Sequence, residues 1–196
     1  PARVFRISFS GEMAYEINVP ADYGLAVWEA LLAAGQRFGI TPYGTEAMAV
    51  LRIEKGHVAG MELDGRTTPD DLGLGKMVAM DKDCIGKHSL SRPGLLATNR
   101  RQLVGLVSVD GQTAIPRGAQ LVTDPHHPLP NPIVGHVSST CYSPALNRPI
   151  ALALLSRGRE RYGEQLYAMS PLANACVEVK VTNHVHYDPE GERLRG

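Results

Sequence analysis

The chain has 196 residues, with 20 Lys+Arg against 20 Asp+Glu; its formal net charge is zero, and no surplus positive charge exists to neutralise nucleic-acid phosphates or an anionic membrane. Hydrophobic residues make up 43% and charged residues 20%, and no apolar run approaches the roughly 18–20 residues that span a bilayer, so the composition is that of a globular protein with neither nucleic acid nor membrane as partner. Three cysteines, Cys84, Cys141 and Cys176, stand far apart without a C-x-x-C pair. That spacing argues against a disulfide framework or a zinc ribbon and predicts buried or inert thiols in a reducing, cytoplasmic setting. The chain opens at Pro1 directly into strand-like sequence and so reads as a piece of a longer polypeptide.

Arg3 to Ser10 alternates, with Val4, Arg6 and Ser8 on one side and Phe5, Ile7 and Phe9 on the other, the period of a half-buried strand. Gly11-Glu12 ends it and Ala14 to Val19 resumes extended structure, which predicts a hairpin with a solvated Glu12 at its turn and Tyr15, Glu16 and Ile17 on its return strand. From Asp22 to Ala34 the residues Tyr23, Ala26, Val27, Ala30, Leu31 and Ala34 fall at helical spacing, ahead of Gly35. A second helix is expected over Glu46–Lys55 behind Thr45, and a short third one from Thr68-Pro69-Asp70-Asp71, where threonine caps, proline suits the first turn and the two acids favour the positive end of the dipole. Ile85 to Ser91 predicts one more short helical segment.

The composition shifts at Ser91 to Arg101, where Pro, Gly, Asn and Arg gather, and a boundary is placed there: residues 1–93 before it, 94–196 after it. Beyond it Gln102–Val109, Ile133–Cys141, Ile150–Leu155, Glu164–Met169 and Val177–His186 are β-type runs separated by Gly and Pro, a spacing that suits a small sandwich or barrel. The polar tail from Asp188 to Gly196 is expected to be mobile.

No glycine-rich phosphate loop, G-x-S-x-G elbow or H-E-x-x-H pair is present, so chemistry must rest on weaker constellations. Glu16, bracketed by Tyr15 and Ile17, is the most suggestive group: on pattern alone it is either solvated at a strand surface or a carboxylate held by a donor, because burying it unpaired is costly. His184 and His186 are two apart on a predicted strand, a spacing that can hold zinc, but no third ligand stands at a natural distance and no metal site is assigned. His126-His127 reads as an exposed loop. Arg157, Arg159 and Arg161 form a basic cluster, either a solvated loop or, through Arg157, a partner for an anionic tail. Asp70 and Asp71 need no role beyond capping.

Residues 6–17 (RISFSGEMAYEI), Leu51–Gly56 (LRIEKG), Thr67–Gly75 (TTPDDLGLG) and Ile85–Leu90, followed by Gly135-His-Val-Ser-Ser and Ser143-Pro-Ala-Leu ahead of Ile150, resemble, in order, the tetrahydrofolate-binding aminomethyltransferase family of the glycine-cleavage T-protein. Within that family, TTPDDLGLG and the stretch Gly39–Met48 resemble most closely the alpha-subunit branch of heterotetrameric sarcosine oxidase. The resemblance implies an α+β fold: the C-terminal part of an aminomethyltransferase-like folate-binding domain, residues 1–93, followed by a small antiparallel β barrel, residues 94–196. It implies tetrahydrofolate as ligand, with the pterin edge held by Glu16, walls from Phe9 and Tyr15, and Arg157 at the folate tail. Phe9 stands where the family often has tyrosine, and Met48 where many T-proteins have arginine. The resemblance further implies oxidative demethylation of sarcosine to glycine within a complex with beta, gamma and delta subunits, with transfer of the one-carbon unit to tetrahydrofolate. FAD, FMN and NAD would be bound elsewhere in that complex, and the catalytic aspartate would lie upstream of residue 1. No catalytic residue is therefore assigned here, and the isolated chain is expected to be inactive. A T-protein or dimethylglycine-oxidising enzyme of the same family, and a noncatalytic subunit-docking fragment, are the alternatives.

Overall fold

The computed structural model describes residues 1–196. The N-terminal hairpin pairs β1 (Arg3–Phe5) with β2 (Glu16–Asn18), and α1 (Gly24–Gly35), α2 (Thr45–Glu54) and the one-turn α3 (Lys87–Leu90) follow. The strands β3 (Arg101–Ser108), β4 (Gln120–Val122), β5 (Gly135–Ser143), β6 (Arg148–Ser156), β7 (Gln165–Ser170) and β8 (Ala175–Thr182) close a barrel in the order β3-β6-β5-β4-β7-β8, each neighbouring pair antiparallel. A final short helix, α4, spans Glu192–Arg195. The fold is thus helices with a closed antiparallel barrel, as the sequence pattern and the family resemblance imply. The barrel has one strand more than the five β-type runs, because the three residues of β4 are too short to show a period.

Alternation decides which side chains fill the barrel. Val104 and Leu106 of β3, Leu121 of β4, Val137 of β5, Leu166 and Ala168 of β7 and Val177, Val179 and Val181 of β8 point into one core. Strand β6 instead reads as a continuous apolar run because both of its faces are covered: Ala151, Ala153 and Leu155 point in, while Ile150, Leu152 and Leu154 pack outward with Leu103 and Val107 of β3 against Ile53 of α2 and Leu72. Each fully buried leucine or isoleucine contributes about 1.5–3 kcal/mol, so two stacked cores make β6 the most constrained strand. The chain after β8 crosses the outside of β3 at Gly105, where a Cβ would lie 2.3 Å from the Asn183 carbonyl oxygen. It then donates the His186 and Tyr187 amides to the Glu54 carbonyl, which stitches the C-terminal segment to the end of α2.

The structure departs from the sequence pattern in several places. The hairpin strands are three residues each, and residues 6–15 form a loop instead of extending the ladder. Glu12 is not free in solvent: it pairs with Arg193 at 3.2 Å. The tail is correspondingly ordered. Asp188 accepts the Glu192 amide at the start of α4 and binds Lys55, the Arg193 carbonyl accepts the Met13 amide, and the Leu194 carbonyl accepts Arg6. Thr68–Asp71 makes a single reciprocal turn and no helix: the Asp71 carboxylate accepts the Thr68 amide and hydroxyl, and the Asp71 amide donates back to the Thr68 hydroxyl. Asp71 does more than cap, since it is also ion-paired with Arg100, and Asp70 pairs with Arg159. Cys84 and Cys176 are exposed; Cys141 is the partly buried one, its thiol pushed up to about 12 by burial and by the charge of Glu54.

His184 and His186 fall beyond the end of β8, in the crossing segment. The segment leaves the ladder to pass over Gly105, so the two histidines do not share a strand face. The His186 ring sits 3.1 Å from the Ala151 carbonyl, and burial drives its pKa down to about 4. His184 packs against Gly56 and Gly73. No helix is long and apolar enough to cross a membrane.

Candidate functional site on the N-terminal ribbon

The ladder register sets Glu16 directly opposite Phe5, so the carboxylate and the phenyl ring share one face of the ribbon. Glu16 is exposed and its carboxylate makes no hydrogen bond or ion pair; its cross-strand partner Phe5 and its chain neighbours Tyr15 and Ile17 are exposed as well, as are Ile7 and Phe9 of the intervening loop. A lone acceptor amid apolar and aromatic side chains can take a flat ligand that offers two adjacent N–H donors along one edge and a hydrophobic face. The family resemblance assigns the aromatic walls to Phe9 and Tyr15; the register adds Phe5.

The far side of the same loop is firmly held. The Phe9 carbonyl lies 3.1 Å from Nδ1 of His57, and Gly11 is buried in left-handed backbone (φ +85°), where a Cβ would lie 2.7 Å from the Lys55 side chain. Lys55 continues to Asp188, and Met13, Glu12 and Arg6 bind α4 as described above. One edge of the loop is therefore anchored to α2 and the C-terminal helix while the edge that carries Glu16 stays open.

The anchor reaches the barrel through a polar seam that the sequence reading did not find. Arg52 of α2 donates to the Glu62 carboxylate (3.1 Å) and to the Ser139 hydroxyl (2.7 Å), Ser139 in turn donates to Glu62 (2.6 Å), and Ser143 donates to Glu54 (2.5 Å). Burial pushes the Glu62 pKa upward, but serine hydroxyls of β5, the Ala59 amide and the Arg52 charge outweigh it and hold the group below the ordinary glutamate range. Asp71 is treated alike: burial raises its pKa, and Arg100 together with the Thr68 amide and hydroxyl brings it below the usual aspartate value. The available signal was the outward row Ser139, Cys141, Ser143 on β5. Polar residues at that spacing need partners, but nothing local says which.

Phe9, Tyr15 and Glu16 lie on one hairpin and its loop, whereas Arg157 lies on the barrel, in left-handed backbone just after β6, with its guanidinium bound to Glu160 (2.5 Å). The basic cluster around it is neutralised throughout, since Arg159 pairs with Asp70 and Arg161 with Glu164.

Two family models match the chain: the GCVT N-terminal domain over residues 1–82 and the glycine cleavage T-protein C-terminal barrel domain over residues 101–188. The chain belongs to the glycine-cleavage T-protein family. It is 46% identical over 192 residues to the sarcosine oxidase subunit alpha of Rhizobium meliloti (strain 1021), covering 97% of this chain and 20% of the relative. It is 47% identical over 198 residues to that of Corynebacterium sp. (strain P-1), covering 100% and 20%. The aminomethyltransferase of Desulfitobacterium hafniense (strain DSM 10664 / DCB-2) is 31% identical over 192 residues, covering 96% of this chain and 49% of the relative. The crystal structure of glycine cleavage system aminomethyltransferase T from Bartonella henselae has the same fold, with a TM-score of 0.77, 22% identity, and coverage of 96% of this chain and 50% of that one. The chain spans about a fifth of the length of the sarcosine oxidase alpha subunits it matches.

Proposed function

We propose that the chain is the tetrahydrofolate-binding part of a sarcosine oxidase alpha subunit, whose complex demethylates sarcosine to glycine and passes the one-carbon unit to tetrahydrofolate. The observation that carries the reading is the unpartnered Glu16 carboxylate facing the same way as Phe5 on an open apolar ribbon. A pterin edge presents a ring N–H beside an exocyclic amine, and one carboxylate accepts both. Each charge-assisted bond contributes about 1.5–3 kcal/mol, while Phe5, Phe9 and Tyr15 supply the walls. Bound folate supplies the nitrogen that receives the one-carbon unit; this chain binds and orients it. Identity of 46–47% to sarcosine oxidase alpha subunits, against 31% to an aminomethyltransferase of comparable coverage, favours this branch over a T-protein. FAD, FMN and NAD are assigned in this reading to other parts of the complex, with beta, gamma and delta subunits as partners and the cytoplasm as setting. Arg157 reaches a folate tail only by releasing Glu160.

Titration calorimetry of the full complex tests it: Glu16→Gln keeps the shape and loses the charge, and is expected to weaken tetrahydrofolate binding by about one to two orders of magnitude. Unchanged affinity removes the assignment.

A second reading, a noncatalytic docking element, is favoured by a different observation: α1 buries none of its residues and leaves Tyr23, Leu25, Trp28 and Leu31 exposed. Apolar area on that scale seeks a cover. The isolated chain is then expected to self-associate in sedimentation velocity, and Trp28→Glu with Leu25→Glu to return it to monomer while folate affinity in the full complex stays as it was. A monomeric isolated chain rejects this reading.

A further inference from the structure

On the outer face of the barrel, the cover supplied by Ile53 and Leu72 ends before the outer face does. Arg101 opens β3 opposite Ser156, His136 lies on β5 opposite the buried Leu154, and β6 runs between the two strands, so both side chains flank the end of β6 where the outer core stops. Two adjoining hollows, of about 320 and 430 Å³, share Arg66, Arg101 and His136 as lining, and Arg117 closes the second.

The charges in this groove do not cancel. Asp64 is taken up by Arg66, and Asp71 by Arg100 and Thr68. Arg101 and Arg117 have no carboxylate partner. A guanidinium of Arg101 sits 3.3 Å from Nδ1 of His136, and a guanidinium has no lone pair to offer, so His136 must accept there and carry its proton on Nε2. Burial, then the charges of Arg101 and Arg66, hold its pKa below the ordinary value. This surplus stands out because the molecule as a whole is neutral and the other basic cluster, at Arg157, Arg159 and Arg161, is paired residue for residue.

We infer that the groove between Arg66, Arg101, Arg117 and His136 binds a compact anion carrying two or more carboxylate or phosphate groups. Two unpaired guanidiniums along a channel of this size suit oxyanions that span both, and the neutral imidazole adds a hydrogen-bond donor without a desolvated charge. The site is built from different residues than the Glu16 ribbon and stands or falls independently of it.

Calorimetric titration of the full-length protein with pyrophosphate and, separately, with tricarballylate tests the inference. Saturable binding of either is expected, weakened about tenfold by Arg101→Gln and about a hundredfold by Arg101→Gln with Arg117→Gln, and unaltered by the exposed control Arg92→Gln. Binding of pyrophosphate alone assigns phosphate chemistry, of tricarballylate alone polycarboxylate chemistry, and of both a general polyanion site. Unchanged melting temperatures identify the losses as local, since the substituted side chains are exposed. Binding of neither anion at low ionic strength, or binding that survives the double variant, overturns the inference.

Discussion

The barrel and the N-terminal ribbon are built from similarly apolar sequence and meet opposite fates. In the barrel, Leu106, Leu121, Leu152 and Leu166 are fully buried; in the first forty residues, Val4, Phe5, Tyr15, Tyr23, Leu25 and Trp28 are exposed. A closed sheet satisfies every strand edge within itself and turns one face of each strand inward, so its core is complete without help. A two-stranded ribbon and a single helix have no second layer. The difference teaches that an apolar pattern predicts a face in need of a partner and not the partner.

That contrast can be broken by substitution. Leu121→Ala removes a fully buried side chain and is expected to cost about 2–5 kcal/mol in urea denaturation. A value within 0.5 kcal/mol, on the order of a surface change, would show that the barrel is not the stable unit.

Acid sharpens the comparison by acting on the seam that joins the two regions. Glu62 and Asp71 have folded pKa values below their unfolded ones, so their contribution is fully present above about pH 4 and is lost as pH falls through the depressed folded values. Glu62→Gln strands Arg52 beside a neutral amide. It is expected to cost about 3–5 kcal/mol at neutral pH and much less near about pH 3. Equal losses at both pH values in paired denaturation curves would remove the seam as the acid-sensitive element.

The smallest effect belongs to the open helix. Trp28 keeps half of its surface in solvent, at 50%. Trp28→Ala is expected to change the stability of the isolated chain by no more than about 0.5 kcal/mol, measured by the same denaturation. A loss of several kcal/mol would mean that the tryptophan is already packed.

Much of the architecture was legible because it follows local rules. The β-type run Gln102–Val109 and the alternating Val177–Val181 mark β3 and most of β8, and the 3.6-residue spacing of Tyr23 to Ala34 marks α1. Short elements escaped: β4 is three residues, and Thr68–Asp71 carries capping residues yet closes one turn only, because Gly73 follows at φ +77° and Asp71 is drawn to Arg100. The ordered tail escaped as well, since Arg193 with Glu12 and Lys55 with Asp188 join residues more than a hundred positions apart.

For the candidate site, the sequence by itself determined that a glutamate sits among apolar residues on a β ribbon, and its motif order determined the family. Only the tertiary structure decided that Phe5 stands opposite Glu16, that the basic run after β6 is neutralised while Arg101 and Arg117 are not, and that Glu62 ties α2 to the barrel. The physical reason is range. Periodicity and capping are settled within a few residues of chain, whereas register, ion pairing and burial depend on which distant segments meet.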